Sequence, residues 1–497
     1  MIKIENNVIK NTYKFWNHCL FHPTDAIEDP WGKRIIDRFA EDKSMGMIRI
    51  YAMLEDIVYT DEDGNLLYDF RINDLRLDYL VEKGFDLLIA YASMPSCIAE
   101  NNQALASVSK NKTRYKGKMF NTSRPKDYAL WEEVCYQYTK HLIERYGIER
   151  VKNWRMQCFN EPDMPSFFML DYKEAEYKEF RAKEYAKLYE YFEKGVRKAS
   201  EEVVIGGPAI ALASNVKYLE ILLNSVKEKN LKMDFISIHT YGTGPLHINK
   251  DNAEFTTDSI INVYNTYKET IKKCGFEHLP IIIDEWGMST HGYFNVEECP
   301  KFMDRETEVF SAYFTKLIHA FLANNITIDK LMICLSGQHE MITDFSGFRN
   351  FFTLNFIAKP IYNAYLMSSR LFTNFLKYDG ADENTFVLPT TDENGKYSIM
   401  LTYCSKYFKE DIPEKQETLV LPDEVKGKKV TVYCIDKENT NPYRLYQRNG
   451  YGENMSEEEI KILRKEGKIK PIKEFTAQST EINLKLTANC VYLIAAE

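Results

Sequence analysis

Residues Trp154 to Asp163 read WRMQCFNEPD, and their reading decides the fold. An apolar-rich run ends there in Asn160, Glu161 and Pro162. Proline cannot donate to a strand ladder, so the run reads as a buried strand that stops and leaves one carboxylate at its mouth. Pro280 to Gly287, PIIIDEWG, has the same form: three isoleucines lead into Asp284, Glu285 and Trp286. If both strands belong to one parallel barrel, their ends meet on one face and bring the two glutamates together.

Working outward, short apolar runs alternate with amphipathic stretches. The strand-like runs are Tyr13 to Leu20, MIRIYAM from Met47, FDLLIAYASMP from Phe85, WRMQCFNE, VVIGGPA from Val203, FISIHTYG from Phe235, PIIIDEWG and KLMICLSG from Lys330. Most are too apolar for strands with one wet face and suit parallel strands covered on both sides. Helical spacing fills the intervals: Pro30 to Ser44, Asn73 to Lys83, Pro125 to Tyr146 closed by Gly147, Ala175 to Ser200, Asn215 to Lys229, Thr257 to Lys273, Arg305 to Asn324 and Pro360 to Leu371. The alternation predicts an α/β fold, a (β/α)8 TIM barrel over 1–371.

Past about residue 372 the texture changes. YSIMLTY from Tyr397, QETLVL from Gln416, KKVTVYCID from Lys428, TEINLKL from Thr480 and CVYLIAA from Cys490 are β-rich runs between turn residues, so 372–497 is expected to be a C-terminal β-sandwich domain. One helix is expected at Ser456 to Lys465, where a capping serine precedes three glutamates.

Composition narrows the function classes. A chain of 497 residues exceeds a single core, and its net charge of −9 argues against a nucleic-acid partner. The ten cysteines show no CxxC pair and read as reduced core residues. Without a signal-like leader or a long apolar segment, the expectation is a cytoplasmic protein without a membrane partner, with a homo-oligomer left open. The histidines form no HExxH, no loop has calcium spacing, and IGGPA is not a phosphate fingerprint, so neither a metal nor a cofactor is expected. His247 and His291 read as loop residues.

Two carboxylates at the mouth of a barrel are the equipment of glycoside hydrolysis, in which one protonates the leaving oxygen and the other stays ionised and attacks the anomeric carbon. An oligosaccharide is therefore the expected substrate. The ordered set RIY from Arg49, NEPD from Asn160, GGPA from Gly206, ISIHTYG from Ile236, DEWG from Asp284 and GFRNFFTLNFIAKP from Gly347 resembles glycoside hydrolase family 39, the family of β-xylosidases and α-L-iduronidase. The resemblance runs from about residue 40 to the C-terminus. It implies a retaining exo-glycosidase of β-xylosidase type, with Glu161 as acid/base, Glu285 as nucleophile and Asn160 holding the hydroxyl beside the anomeric carbon.

By the same resemblance, Arg49 keeps the nucleophile ionised, and His239 and Tyr241 line the sugar pocket. Being two apart on a strand, His239 and Tyr241 point the same way, although a core pair would do so too. Phe167 matches an aromatic beside the acid, with loop packing as its alternative role. Two departures stand out. Tyr51 occupies a position where the family has histidine, and ICLSGQHEM on the eighth strand replaces roughly WTFSDxFEE, leaving Ile333 for tryptophan and Glu340 as one remaining acid. Such changes redraw the walls that recognise the sugar, so an α-L-arabinosidase or arabinobiosidase, a uronidase-type enzyme or a non-catalytic carbohydrate-binding barrel stay open.

Overall fold

The runs that are apolar on both faces form the strands of one closed cylinder. The computed structural model describes residues 1–21, 27, 29–106, 120–213, 215–243, 254–289, 295–336 and 341–497. Eight parallel strands, His18–Phe21 (β1), Met47–Tyr51 (β2), Asp86–Tyr91 (β3), Arg155–Cys158 (β4), Ile205–Ile210 (β5), Phe235–Tyr241 (β6), Ile281–Gly287 (β7) and Lys330–Leu335 (β8), pair in sequence order, and β8 pairs with β1 to close the barrel. Each is followed by a helix: Pro30–Asp42 (α1), Arg71–Glu82 (α2), Tyr128–Tyr146 (α3), Lys178–Ala199 (α4), Val216–Glu228 (α5), Thr257–Cys274 (α6), Glu308–Ala323 (α7) and Pro360–Ser369 (α8). The expected (β/α)8 barrel is present.

Local chemistry sets the helix ends. Asp29 caps α1 by accepting from the Gly32 N–H at 2.8 Å, with Pro30 in the first turn where its missing donor costs nothing. Asp127 caps α3, two residues after the expected proline start, and Gly147 at φ 79° ends it. Inside the barrel the period-two pattern builds layers. Met47, Leu88, Phe235, Ile282 and Met332 form a small apolar plug of their own. One step nearer the C-terminal mouth, the same alternation turns Arg49, Gln157, Ser237 and Asp284 inward.

The C-terminal segment forms a nine-stranded sheet that curls over a second core, a β-sandwich as expected. Its strand order is Pro471–Thr476, Lys429–Ile435, Cys490–Ala496, Tyr397–Tyr403, Thr385–Thr391, Asn374–Asp379, Ile2–Asn11, Lys415–Val420 and Glu481–Leu486. One member comes from the other end of the chain. Ile2–Asn11 pairs antiparallel with Asn374–Asp379 and parallel with Lys415–Val420, so ten residues inside the expected 1–371 segment hydrogen-bond with the second sheet. Ile2 and Ile4 supply the reason, because both are buried in the sandwich core. The expected helix runs Glu457–Glu466 with a complete Ser456–Glu459 capping box, and a further short helix, Pro442–Asn449, precedes it.

Helix α7 joins the two bodies. It is apolar nearly all round, packing Phe314 against Trp286 of β7 (ring centres 5.6 Å apart) on one side while Thr315 bonds Thr402 of the sheet at 2.6 Å on another. At its first position the buried Glu308 accepts from Asn441 Nδ2 at 2.7 Å and Arg444 Nη2 at 2.7 Å, both at the start of the short sandwich helix. Glu308→Ala removes their shared acceptor: the fully buried Asn441 Nδ2 keeps its bond to Asp436 O, and Arg444 keeps Glu410. The expected cost is about 2–4 kcal/mol, read as a lower urea midpoint with the barrel's near-ultraviolet signal retained longest. An unchanged midpoint refutes this linkage.

Candidate active site

At the C-terminal mouth the polar layer converges on one guanidinium. Arg49, fully buried on β2, donates from Nη1 to Glu285 Oε1 (2.8 Å), from Nη2 to Asn160 Oδ1 (2.7 Å) and from Nε and Nη2 to Gln157 Oε1 (3.0 and 2.8 Å), and its Nε lies 3.1 Å from Asp284 Oδ2. Gln157 is fixed in turn, because its Nε2 donates to Asp284 Oδ2 at 2.6 Å and Ser237 Oγ at 2.7 Å.

Two consecutive acids can face the barrel axis because β7 is bulged. Against β6 the register runs Ile238 to Ile283 and then His239 to Glu285, skipping Asp284. The extra residue lets Asp284 and Glu285 both reach Arg49 and turns Trp286 outward onto α7. The same outward turn applies to Ile333, which pairs with Trp286 between the inward-facing Met332 and Cys334. Ile333 is fully buried in the helix layer, so its departure from tryptophan does not redraw the pocket wall as expected.

Glu161 is presented by loop geometry rather than by strand alternation. Its backbone adopts φ 44°, uncommon for a residue with a side chain, and its N–H donates to Ala209 O at 3.1 Å. Two residues on, the buried Asp163 clamps the turn by accepting from the Ala211 and Leu212 N–H groups and from Asn215 Nδ2, each at 2.9 Å. The β4 loop is thereby fastened to the β5 loop.

Glu161 Oε1 lies 2.8 Å from His239 Nδ1, and oxygens of Glu161 and Glu285 with a ring nitrogen of His239 all lie within 4.8 Å of one another. Tyr241 Oη donates to Glu285 Oε2 at 2.8 Å and Tyr51 Oη to Oε1 at 3.3 Å. Phe167 lines a small pocket with Tyr51, Phe120, Phe159 and Asn160. The expected residues Glu161, Glu285, Asn160, Arg49, Tyr51, His239, Tyr241 and Phe167 are thus assembled at one mouth. Glu340, His247 and His291 lie outside the described residues. Gln157 and Asp284 belong to the Arg49 network, Asp163 clamps the Glu161 loop and Arg349 lies against Tyr241, all without having been given a role; the two sequence signals were the carboxylate beside Glu285 and the one after Glu161-Pro162.

The two glutamates differ in charge. Burial alone would raise Glu285, but His239, Arg49, Arg349 and the Tyr241 hydroxyl outweigh it and hold the carboxyl down at about 2. Glu161 moves the other way: burial raises it, His239 only partly opposes, and the Glu285 charge adds to the rise. Burial would lower His239, yet Glu285, Asp284 and Glu161 raise it to about 10. Glu161, His239 and Glu285 are the group among the described residues close enough to hold a metal ion. One of the three, Glu285, is already paired with Arg49 at 2.8 Å.

The family model for glycosyl hydrolases family 39 matches residues 1–484. The chain belongs to that family. This family 39 enzyme, a glycoside hydrolase, is 26% identical over 475 residues to a beta-xylosidase of Caldicellulosiruptor saccharolyticus, covering 92% of this chain and 89% of the relative. It is 23% identical over 472 residues to a beta-xylosidase of Geobacillus stearothermophilus, covering 90% and 86%. Among solved structures, a monomeric beta-xylosidase from Caulobacter crescentus CB15 superposes with a TM-score of 0.82 at 20% identity over 100% of this chain and 99% of that one, which bears on the fold. The substrate of this hydrolase is a carbohydrate, and the polar layer at the barrel mouth is centred on Arg49.

Because that arginine balances two buried carboxylates, Arg49→Met leaves Asp284 and Glu285 with little compensation. The variant is expected to lose about 3–5 kcal/mol of stability in equilibrium denaturation. Arg49→Lys, which has no planar fork to serve four acceptors, should recover only part of it.

Proposed function

We propose that this enzyme is a retaining exo-glycosidase of β-xylosidase type, acting on oligosaccharides by double displacement. The observation that carries the reading is the approach of Glu161 and Glu285 oxygens to within 4.8 Å. Retaining pairs stand about 5–5.5 Å apart, whereas inverting pairs leave about 6.5–9.5 Å for a water. The beta-xylosidase relatives support the choice of sugar.

The charges assign the roles. Glu285, held ionised, attacks the anomeric carbon while Glu161, whose proton affinity burial raises, gives its proton to the leaving oxygen; a glycosyl ester on Glu285 results. Forming that ester removes the negative charge beside Glu161, which can then take a proton from water as the water attacks the same carbon and frees Glu285. Asn160, its amide oriented by Arg49, serves the hydroxyl next to the reacting carbon. Tyr51, His239, Tyr241, Phe167 and Glu340 are assigned to the sugar pocket.

A spectrophotometric screen of aryl β-xyloside, α-L-arabinoside, β-glucoside, β-galactoside, β-glucuronide and α-L-iduronide tests this reading. β-Xyloside hydrolysis is expected, with Glu285→Ala inactive. Glu161→Ala should slow poor leaving groups by about 10²–10⁴-fold and dinitrophenyl glycosides far less. Cleavage of another sugar redirects the substrate assignment; activity that survives Glu285→Ala ends the mechanism.

The pH profile tests the charge assignment separately. His239 lowers both carboxyls, so His239→Asn should move the acid limb, set by Glu285, and the alkaline limb, set by Glu161, to higher pH. Limbs that stay in place would show that His239 carries no charge in the free enzyme.

A further inference from the structure

The segment after β8 delivers a second buried guanidinium, which helps hold Glu285 ionised but has no part in either half-reaction as described above. Arg349 is 4% exposed, and its guanidinium carbon lies 4.9 Å from the centre of the Tyr241 ring. Three contacts from two neighbouring strand ends hold it there: Nη1 donates to Ser289 O at 3.1 Å, Nη2 to Cys334 Sγ at 2.8 Å and Nε to Ser336 Oγ at 3.3 Å. Gly287, the last residue of DEWG, makes the room. It lies opposite Tyr241 in the β6–β7 register, and a Cβ at that position would meet Arg349 Cδ at 3.0 Å.

This arrangement forms a relay. The guanidinium sits on the ring whose hydroxyl donates to Glu285 Oε2 at 2.8 Å. A cation against an aromatic face favours electron density on that ring, and a phenol that bears negative charge more readily is the stronger hydrogen-bond donor. A stronger donor matters most when Glu285 is a full carboxylate and least when it is an ester. Arg349 stays charged although burial works against it, because the Glu285 carboxylate lies near and a guanidinium does not deprotonate in a protein.

Resting on the reading of Glu285 as the attacking carboxylate, we propose that Arg349 is a positioning residue that acts through Tyr241 to make Glu285 the better leaving group. In that second half-reaction water oxygen bonds to the anomeric carbon, the bond from that carbon to Glu285 breaks with its electron pair returning to the carboxylate, and the water proton goes to Glu161. Arg349 touches none of these atoms. It favours the state in which the carboxylate has been released, so the glycosyl-enzyme breaks down faster.

The test uses a dinitrophenyl glycoside of the sugar found in the screen, whose easy departure leaves deglycosylation rate-limiting. Arg349→Met should lower kcat on the order of tenfold and KM with it, changing kcat/KM less, with a dinitrophenol burst at least as large as the wild type's ahead of the slower steady state. Arg349→Lys should fall between. In a Tyr241→Phe background the Arg349→Met effect should shrink to the direct pull of the guanidinium charge on Glu285, because the relay is already cut. Gly287→Ala, which displaces the arginine without removing its charge, should give the same signature more weakly and covers the case in which Arg349→Met does not fold.

An Arg349→Met effect that persists undiminished beside Tyr241→Phe, or a fall in kcat/KM without a burst, overturns the proposal. Labelling wild type with a 2-fluoro glycoside separates the two levels of inference. A label elsewhere than Glu285 defeats the reading of the site, whereas a label on Glu285 with additive variants defeats the relay alone.

Discussion

A charged guanidinium with no access to water is expensive unless every donor is met, and the centre of this barrel is arranged around meeting those of Arg49. Its planar fork reaches Gln157, Asn160, Asp284 and Glu285, which come from three positions around the cylinder: the end of β4, the turn after it, and β7. A lysine could not span them, since one ammonium offers a point charge and no plane. The contact therefore fixes more than a charge. It sets the rotamers of the acids and of the amide before any sugar arrives, the pre-organisation that electrostatic catalysis relies on.

Given that centre, the barrel's irregularities become necessary. A regular β7 would aim Asp284 inward and Glu285 at the helices; the bulge allows both to face Arg49. A regular extension of β4 would not hold Glu161 beside His239, so the chain turns through a left-handed backbone and Asp163 keeps it there with three accepted hydrogen bonds. In both places regular strand geometry yields to side-chain placement, and buried polar contacts offset the local strain.

Much of this was legible in the residues. All eight barrel strands and all eight helices announce themselves through apolar runs and helical spacing, because burial on both faces leaves a continuous signal. Glu161 and Glu285 were legible for a related reason: each ends such a run. Arg49, His239 and Tyr241 followed from their position in ordered motifs.

Gln157, Asp284 and Arg349 were not assigned. Their meaning lies in contacts with residues 108 positions away for the Arg49–Gln157 bond and 127 for Gln157–Asp284, which no local pattern encodes. Ile333 was misplaced as a pocket wall because its facing depends on strand phase, and Tyr51, by contrast, does reach Glu285. Ile2–Asn11 escaped notice because six of its ten residues are polar and only Ile2 and Ile4 enter the core.

That first strand also bears on how the chain must be made. Asn6 bonds Glu424 across a separation of 418 positions, and Ile2 and Lys3 pair with Leu419 and Val420. During synthesis the leading ten residues leave the ribosome long before either neighbour exists, so they wait as an unpaired edge while the barrel beside them takes shape. Completion of the sandwich is thus tied to arrival of the strands Lys415–Val420 and Glu481–Leu486, and a product terminated before them would leave Ile2–Asn11 open along an edge, marked for aggregation or for the cell's quality control.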